Sequence, residues 1–375
     1  MANVEVRNVY KTFDSVEAVK NLSFHVKTGE FFSLLGTSGC GKTTTLRIIA
    51  GLEQQDRGEV LIDGKEITST PIHKRDMGFV FQNYALFPHM TVKENIEFGL
   101  KMKKISKNSF DSKVRDILAL VGLEGYEDRM PKQLSGGQQQ RVALCRTLVL
   151  SPKVLLLDEP LSNLDAKLRE KMRIELKDIQ RKIGVTTIYV THDQEEALSI
   201  SDKITVMSRG QGIQIGTPYE IYEKPASGFV ADFMGQVNLY KGRIVQKIGS
   251  EVTIVSDQTP DIKVLLTLEE ERDYTEGKQF LFLIRKEGIE VLHKEIKGRT
   301  DVDSFIARVQ AVIYLGPHSE CICTFEGKKG QITFRLPASL GSSELLRRGD
   351  KVMLGWRPSN VALVGKEGEK YESES

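Results

Sequence analysis

The stretch Gly36-Thr-Ser-Gly-Cys-Gly-Lys-Thr43 fits the pattern G-x-x-x-x-G-K-[ST], and its surroundings decide the fold. A strand-length apolar run, Phe31–Leu35, leads directly into it, and a helical stretch, Thr44–Ala50, leads out. A loop of this kind wraps its backbone so that several N–H groups point inward at phosphate oxygens. The helix behind it adds the positive end of its dipole. Gly36, Thr37, Ser38, Gly39, Cys40 and Gly41 are the expected wrap, closed by Thr44. Lys42 is placed to reach the β- and γ-phosphates of a nucleotide and Thr43 to ligate Mg²⁺, so ATP and Mg²⁺ are the expected ligands.

Working outward, the chain to about residue 235 alternates short apolar runs with longer amphipathic stretches. That rhythm predicts an α/β domain with a mostly parallel sheet covered by helices. The strand-length runs are Phe31–Leu35, Gly78–Phe81, Val154–Leu157 and Thr187–Val190. A helix is expected after Asp165, because Leu168, Met172, Leu176, Ile179 and Ile183 recur at spacings of three and four with charges between them. From 236 to 375 the rhythm changes. Segments such as Gly242–Val255, Gln279–Leu292, Phe305–Leu315 and Lys351–Val364 are short, β-branched and punctuated by Gly, Asp, Asn and Pro. They predict a second, mostly β domain of small barrel type. The tail beyond Lys366 is Gly, Glu, Lys and Ser, a composition expected to fray.

Parallel strands gather their carboxyl ends at one edge of a sheet, where ligands bind. All four predicted strands end on groups suited to phosphate or metal: the glycine loop, Gln82, Asp158-Glu159 and Thr191-His192-Asp193. Asp158 at its strand end is the acid expected to hold Mg²⁺. Glu159 is placed to act as general base on the attacking water. Gln82 is expected to orient that water or to complete the metal shell, and His192 to hydrogen-bond the γ-phosphate and stabilise moving charge. A strand-end Asp-Glu pair alone is often only solvated or capping a helix. All four ends together are hard to explain that way.

Composition narrows the classes. With 375 residues, 40% apolar and 28% charged, the chain has the make-up of a globular protein of two or three domains. A net charge of +2 gives no ground for a nucleic-acid partner, and none is expected. The sequence has no run of about 18 or more uncharged apolar residues. Met1–Thr12 lacks the apolar core of a signal peptide, so a cytosolic protein is expected, reaching the membrane only through a partner. The four cysteines, Cys40, Cys145, Cys321 and Cys323, are too scattered for a disulfide framework. On a strand Cys321 and Cys323 share a face and are expected to pack there. Cys40 lies beside the positive field of the phosphate loop and is either a reactive thiol that nucleotide would protect or a small buried filler.

Leu134-Ser-Gly-Gly-Gln-Gln-Gln-Arg141 resembles the signature sequence of ABC ATPases, and it lies upstream of Asp158-Glu-Pro as in that family. The resemblance implies the rest in order: Gln82 as the glutamine loop, Ser162-Asn-Leu-Asp165 as the D-loop with Asp165 its acid, His192 as the switch histidine. Phe13 looks like the aromatic that stacks on adenine. Ser135 suits a helix cap, and Gly136, Gly137 and Gln138 beside it bare N–H groups toward an anion. In the family this surface faces the nucleotide held by a second subunit. The resemblance therefore implies a head-to-tail homodimer with two ATP at the seam. A helical subdomain, about 83–150, is implied within a nucleotide-binding domain of 1–235.

Gly216-Thr-Pro-Tyr-Glu-Ile-Tyr222, Pro225, Phe229-Val-Ala-Asp-Phe-Met-Gly235 and Asn238 look like the end of importer-type ATPases, which carry a C-terminal OB-like (TOBE) domain. Such subunits sit at the cytoplasmic face of the membrane and drive permease subunits fed by an extracytoplasmic solute-binding protein. Polyamine or ferric iron are the solutes this suggests. Asn83-Tyr-Ala-Leu-Phe-Pro-His-Met90 is in the place of the groove that receives the permease, or else forms a local core under the helical subdomain. The departures from the family pattern are Thr37, Cys145 and Thr147, none in a catalytic place. The competing classes are a soluble ABC ATPase of repair or translation and an ATP-dependent switch protein. A single core without sustained heptads speaks against the first, and the presence of Glu159 and His192 against the second.

Overall fold

Two strands of alternating burial open the chain. β1 (Val4–Phe13) and β2 (Val16–Val26) pair antiparallel in a hairpin that turns at Asp14, whose φ is 50°. The computed structural model describes residues 1–235, 237–249, 251–257, 262–267, 275–292, 303–325, 330–338 and 346–364, and divides into two units, Met1–Pro218 and Tyr219–Ser375.

Behind the hairpin comes β3 (Phe31–Gly36), buried along its whole length, and then α1 (Lys42–Ala50). Each large apolar side chain removed from water on such a strand contributes about 1.5–3 kcal/mol. β4 (Arg57–Ile62) and β5 (Lys65–Glu66) join the hairpin in a four-stranded antiparallel sheet of order β2-β1-β4-β5. This sheet departs from the α/β rhythm expected over the first 235 residues. Its two hairpins turn at Asp14 and at Asp63-Gly64, both at positive φ, and β3 and α1 lie between them in the chain.

β6 (Met77–Val80) leads into α2 (Val92–Met102), α3 (Phe110–Leu120) and α4 (Gly136–Leu148), which lie between it and β7 (Val154–Asp158). The three helices share one apolar core, with Ile96, Leu100, Val114, Leu118, Val142 and Leu144 inside it. α5 (Ala166–Ile183) follows, capped by Asp165 and ended by Gly184 at φ 72°. Its stripe is as expected, with Met172, Leu176 and Ile179 buried and Leu168 and Ile183 packed at the margins. β8 (Thr186–Thr191), α6 (Gln194–Ile200), β9 (Lys203–Ser208) and β10 (Gln211–Gly216) complete the unit.

The second sheet has the order β10-β9-β3-β8-β7-β6. β9, β3, β8, β7 and β6 run parallel, and only β10 is antiparallel. The phosphate-loop strand is thus central, and the carboxyl ends of β3, β6, β7 and β8 come to one edge, as the sequence requires. The first unit is an α/β P-loop fold.

The second unit begins with α7 (Pro218–Glu223) and α8 (Gly228–Met234) and is then all strand: β11 (Val237–Ile248), β12 (Glu251–Ser256), β13 (Lys263–Thr267), β14 (Gln279–Arg285), β15 (Ile289–Val291), β16 (Asp303–Tyr314), β17 (His318–Phe325), β18 (Gln331–Pro337), β19 (Lys351–Trp356) and β20 (Val361–Val364). These form two antiparallel five-stranded sheets, β13-β12-β11-β14-β20 and β15-β19-β16-β17-β18. Tyr240, Phe282, Phe305, Phe334 and Trp356 meet in one core drawn from both sheets, the mostly β, OB-like arrangement expected. Asn238 ties the sheets, accepting from Thr333 N at 2.7 Å and donating to Thr333 O at 2.8 Å. Cys321 and Cys323 both face that core from β17, where burial pushes their thiols up to about 11 and about 12. The tail expected to fray after Lys366 lies outside the described residues.

Candidate active site

Glycine shapes the phosphate loop at two crowded points. Gly41 has φ 104°, and a Cβ there would lie 2.2 Å from the carbonyl oxygen of Ala18 on β2. A Cβ on Gly36 would lie 2.3 Å from the carbonyl oxygen of Met207 on β9. Only a residue without a side chain lets the loop lie this close to its neighbours. Within it Lys42 is buried, and its Nζ donates to the carbonyls of Gly36 at 2.7 Å and Thr37 at 2.8 Å. The lysine spans its own loop with its ammonium centred on it. Ser38 and Gly39 are at the open face, while Thr44 lies in the first turn of α1.

Of the two readings of Cys40, the structure favours the packed one. Its side chain is buried, and burial pushes its thiol up, outweighing the opposing pull of Lys42. Desolvation of the thiolate costs more than the lysine returns, so Cys40 is a small packed side chain and not an activated nucleophile.

Thr43 Oγ1 donates to Asp158 Oδ1 at 2.8 Å, which joins the start of α1 to the end of β7. Asp158 is 6% exposed. Burial is the main cause raising its carboxyl above the usual range, with the neighbouring Glu159 adding to it and Thr43, Arg47 and Lys42 pulling it down. A hydroxyl and a buried carboxylate in contact form an oxygen donor set that suits a hard cation such as Mg²⁺.

Next to Asp158, Glu159 takes a left-handed backbone at φ 43°. Its N–H bonds to Val190 O on β8 at 3.1 Å. The turn aims its carboxylate along the sheet edge, where Oε2 lies 3.1 Å from His192 Nδ1 and 3.5 Å from Gln82 Nε2. Gln82 Nε2 also donates to Ser162 Oγ at 3.3 Å, and Asn163 Nδ2 donates to Gln82 O at 2.8 Å. Gln82, Glu159, Ser162 and His192, from three separate stretches of sequence, therefore meet. Left-handed backbone at a glutamate is strain of the kind that accumulates at functional sites.

The signature residues are elsewhere. Ser135 caps α4, accepting from Gln138 N at 3.4 Å, and Gln138 Oε1 accepts from Ser135 N at 2.9 Å in a reciprocal box. Gly136 and Gly137 open the helix, close to Leu164 and Leu168. Among the described residues no hydrogen bond joins Ser135–Gln138 to the phosphate loop. Asp165 caps α5, accepting from Leu168 N at 3.0 Å. Phe13 ends β1, 42% exposed, with Lys11 Nζ 4.9 Å from its ring, so it is not an ordinary core phenylalanine.

Sequence reasoning missed what lies behind these groups. Arg169 of α5 pairs with Asp193 at 3.4 Å and donates to Leu164 O at 3.0 Å. Buried Glu196 accepts from Tyr189 Oη and Thr191 Oγ1, both at 2.6 Å. Their only sequence signal was nearness to His192. Asn95 and Arg146, which hold the segment after Gln82, gave none. Cys145 packs in the helical core, and the Thr147 methyl fills the place that a side chain on Gly78 would take.

Comparison with known proteins agrees with the fold. The family model for the ABC transporter matches residues 19–162, and that for the TOBE domain matches 282–364. The chain belongs to the ABC transporter family, as an ATP-binding and ATP-hydrolysing member. The spermidine/putrescine import ATP-binding protein PotA of Thermotoga maritima is 42% identical over 96% of this chain and 97% of that protein. PotA of Spiroplasma citri is 44% identical over 97% and 98%. The dimeric cassette MJ0796 bound to ADP and Pi superposes with a TM-score of 0.52, at 35% identity, over 57% of this chain and 98% of that one. Among the described residues no helix is long and apolar enough to cross a membrane.

Proposed function

We propose that the chain is the ATPase of a polyamine importer, acting as a homodimer on the cytoplasmic face of the membrane. The observation that carries this reading is the convergence of Gln82, Glu159, Ser162 and His192 beside the phosphate loop on a single sheet edge. The polyamine rests on the names of the relatives given above, 42% and 44% identical over nearly the full length. Ferric iron is the second solute, and the test below separates the two.

ATP lies with its adenine on Phe13 and its phosphates in Gly36–Thr44, where Lys42 meets the terminal oxygens. Thr43 and Asp158 would hold Mg²⁺, with Gln82 completing the set, and the cation would offset phosphate charge. Glu159, with His192 and Gln82 beside its carboxylate, is oriented to take the proton of the attacking water. His192 donates to the γ-phosphate as charge shifts to it. Ser135, Gly136, Gly137 and Gln138 of a second copy close the site across the seam, with Asp165 in the neighbouring turn. ATP then holds the pair together and hydrolysis releases it, a two-state element that drives permease subunits fed by an extracytoplasmic binding protein.

The test is uptake of labelled putrescine and of ferric iron in a strain deleted for this chain. Restoring the chain returns putrescine uptake, and Glu159→Gln does not. Iron uptake restored without putrescine, or full transport by Glu159→Gln, contradicts the reading. The seam is tested by the pair Ser38→Cys and Ser135→Cys, which should crosslink two chains only when nucleotide is bound.

A further inference from the structure

The segment after Gln82 is built against its own backbone preferences. Tyr84 and Ala85 are left-handed in succession, with φ of 61° and 46°, and neither is glycine. Such a pair persists only where the surroundings over-determine it. The Tyr84 ring is sunk in the helical core. The two carbonyls point the other way, and both accept from one side chain: Arg146 Nη1 donates to Ala85 O at 2.6 Å and Nη2 to Tyr84 O at 3.0 Å. The guanidinium carbon also lies 5.4 Å from the centre of the Phe87 ring. A planar fork bonding two adjacent carbonyls fixes both the place and the orientation of the turn.

Arg146 stands in the last turn of α4, the helix whose first turn is the signature Ser135–Gln138. From Ser135 to Arg146 the helix spans about 16 Å. Its far end therefore grips the turn two residues beyond Gln82. On its other side Gln82 is tied to the D-loop by Ser162 and Asn163.

We propose that Arg146 is a positioning residue for hydrolysis, which ties the place of Gln82 beside Glu159 to the place of the signature helix. The inference rests on the role given above to Gln82 in the reaction. In this arrangement a shift of α4, when a nucleotide of a second copy docks on Ser135, is carried along a rigid rod and through the guanidinium to the turn of Gln82. A residue that only satisfied two carbonyls would contribute to stability and leave the rate of the bound complex unchanged.

A double-mutant cycle on the full chain separates the two. The variants are Arg146→Ala, Arg146→Lys, Gln82→Ala and Arg146→Ala with Gln82→Ala, each measured for kcat, direct ATP affinity and Tm. Arg146→Ala should lower kcat about ten- to a hundredfold, the scale of a misplaced group, with ATP affinity within about twofold. Arg146→Lys offers no planar fork and should fall between, which covers the case in which the alanine variant folds poorly. With Gln82→Ala in place, removing Arg146 should cost nothing more. If the losses multiply, or if kcat is unchanged in Arg146→Ala and Arg146→Lys, the inference is overturned while the role of Gln82 stands. If Gln82→Ala alone turns over at full rate, that role fails, and this inference fails with it.

Discussion

The phosphate loop and the glutamine loop lie at the same sheet edge and are held in opposite ways. The phosphate loop takes its unusual backbone at Gly39 and Gly41, with φ of 80° and 104°, where glycine adopts it at little cost. Its clamp, Lys42, comes from the loop itself. The glutamine loop takes its left-handed pair at Tyr84 and Ala85, where side chains make that backbone costly, and its clamps come from far away. Arg146 holds the carbonyls of Tyr84 and Ala85. Asn95, fully buried, accepts from Phe87 N at 2.9 Å and donates to the carbonyls of Phe87, Met90 and Thr91. One loop is clamped by its own lysine. The other is clamped by side chains of the helical subdomain, an arrangement that suits a binding cradle and a coupling device respectively.

The comparison breaks most sharply at Gly41. Gly41→Val places a branched side chain against Ala18 O at a φ that L residues avoid. It should cost about 3 kcal/mol in thermal or denaturant unfolding and abolish ATP binding, because the atom it meets is backbone and cannot yield. Asn95→Leu is the matching insult to the other loop. It leaves three carbonyls and one N–H without their side-chain partner and should cost about 2 kcal/mol. It should lower kcat while direct ATP affinity holds, which would sharpen the division of labour. Equal loss of both would erase it.

A smaller effect, of opposite sign, is expected at Asp158. Its carboxyl is raised above the ordinary value of 3.8, chiefly by burial, so its ionised form opposes folding. In the protein free of nucleotide and cation, stability from this group is complete at pH below that value and is lost as pH rises through the raised one. Asp158→Asn keeps an acceptor for Thr43 and removes the charge. Its Tm should exceed that of the parent at neutral pH, and the difference should vanish in acid, while hydrolysis is lost. A lower Tm for the variant at neutral pH would contradict this.

The same contrast explains what could be read from the sequence. Gly36–Thr43 was legible because motif, strand and helix are contiguous, and the strand ends Gln82, Asp158, Glu159 and His192 because each follows an apolar run. The α/β core and the β-rich second unit followed from periodicity. Two features were hidden. The antiparallel sheet of β1, β2, β4 and β5 was masked because its strands resemble those that precede helices. Arg146 and Asn95 were masked because a polar residue on a helix reads as a solvated face until the loop that covers it is placed. Cys40 stayed open between two readings because a nearby charge is visible in sequence and burial is not.

The account turns on Glu159, held left-handed at φ 43° with its carboxylate against His192 and Gln82. The most direct measurement is single-turnover ATP hydrolysis by Glu159→Gln beside its ATP affinity from equilibrium dialysis. The amide keeps the size of the side chain and cannot take a proton, so ATP should bind as tightly as to the parent while hydrolysis falls about 10²–10⁴-fold. Hydrolysis at the parent rate would contradict the account.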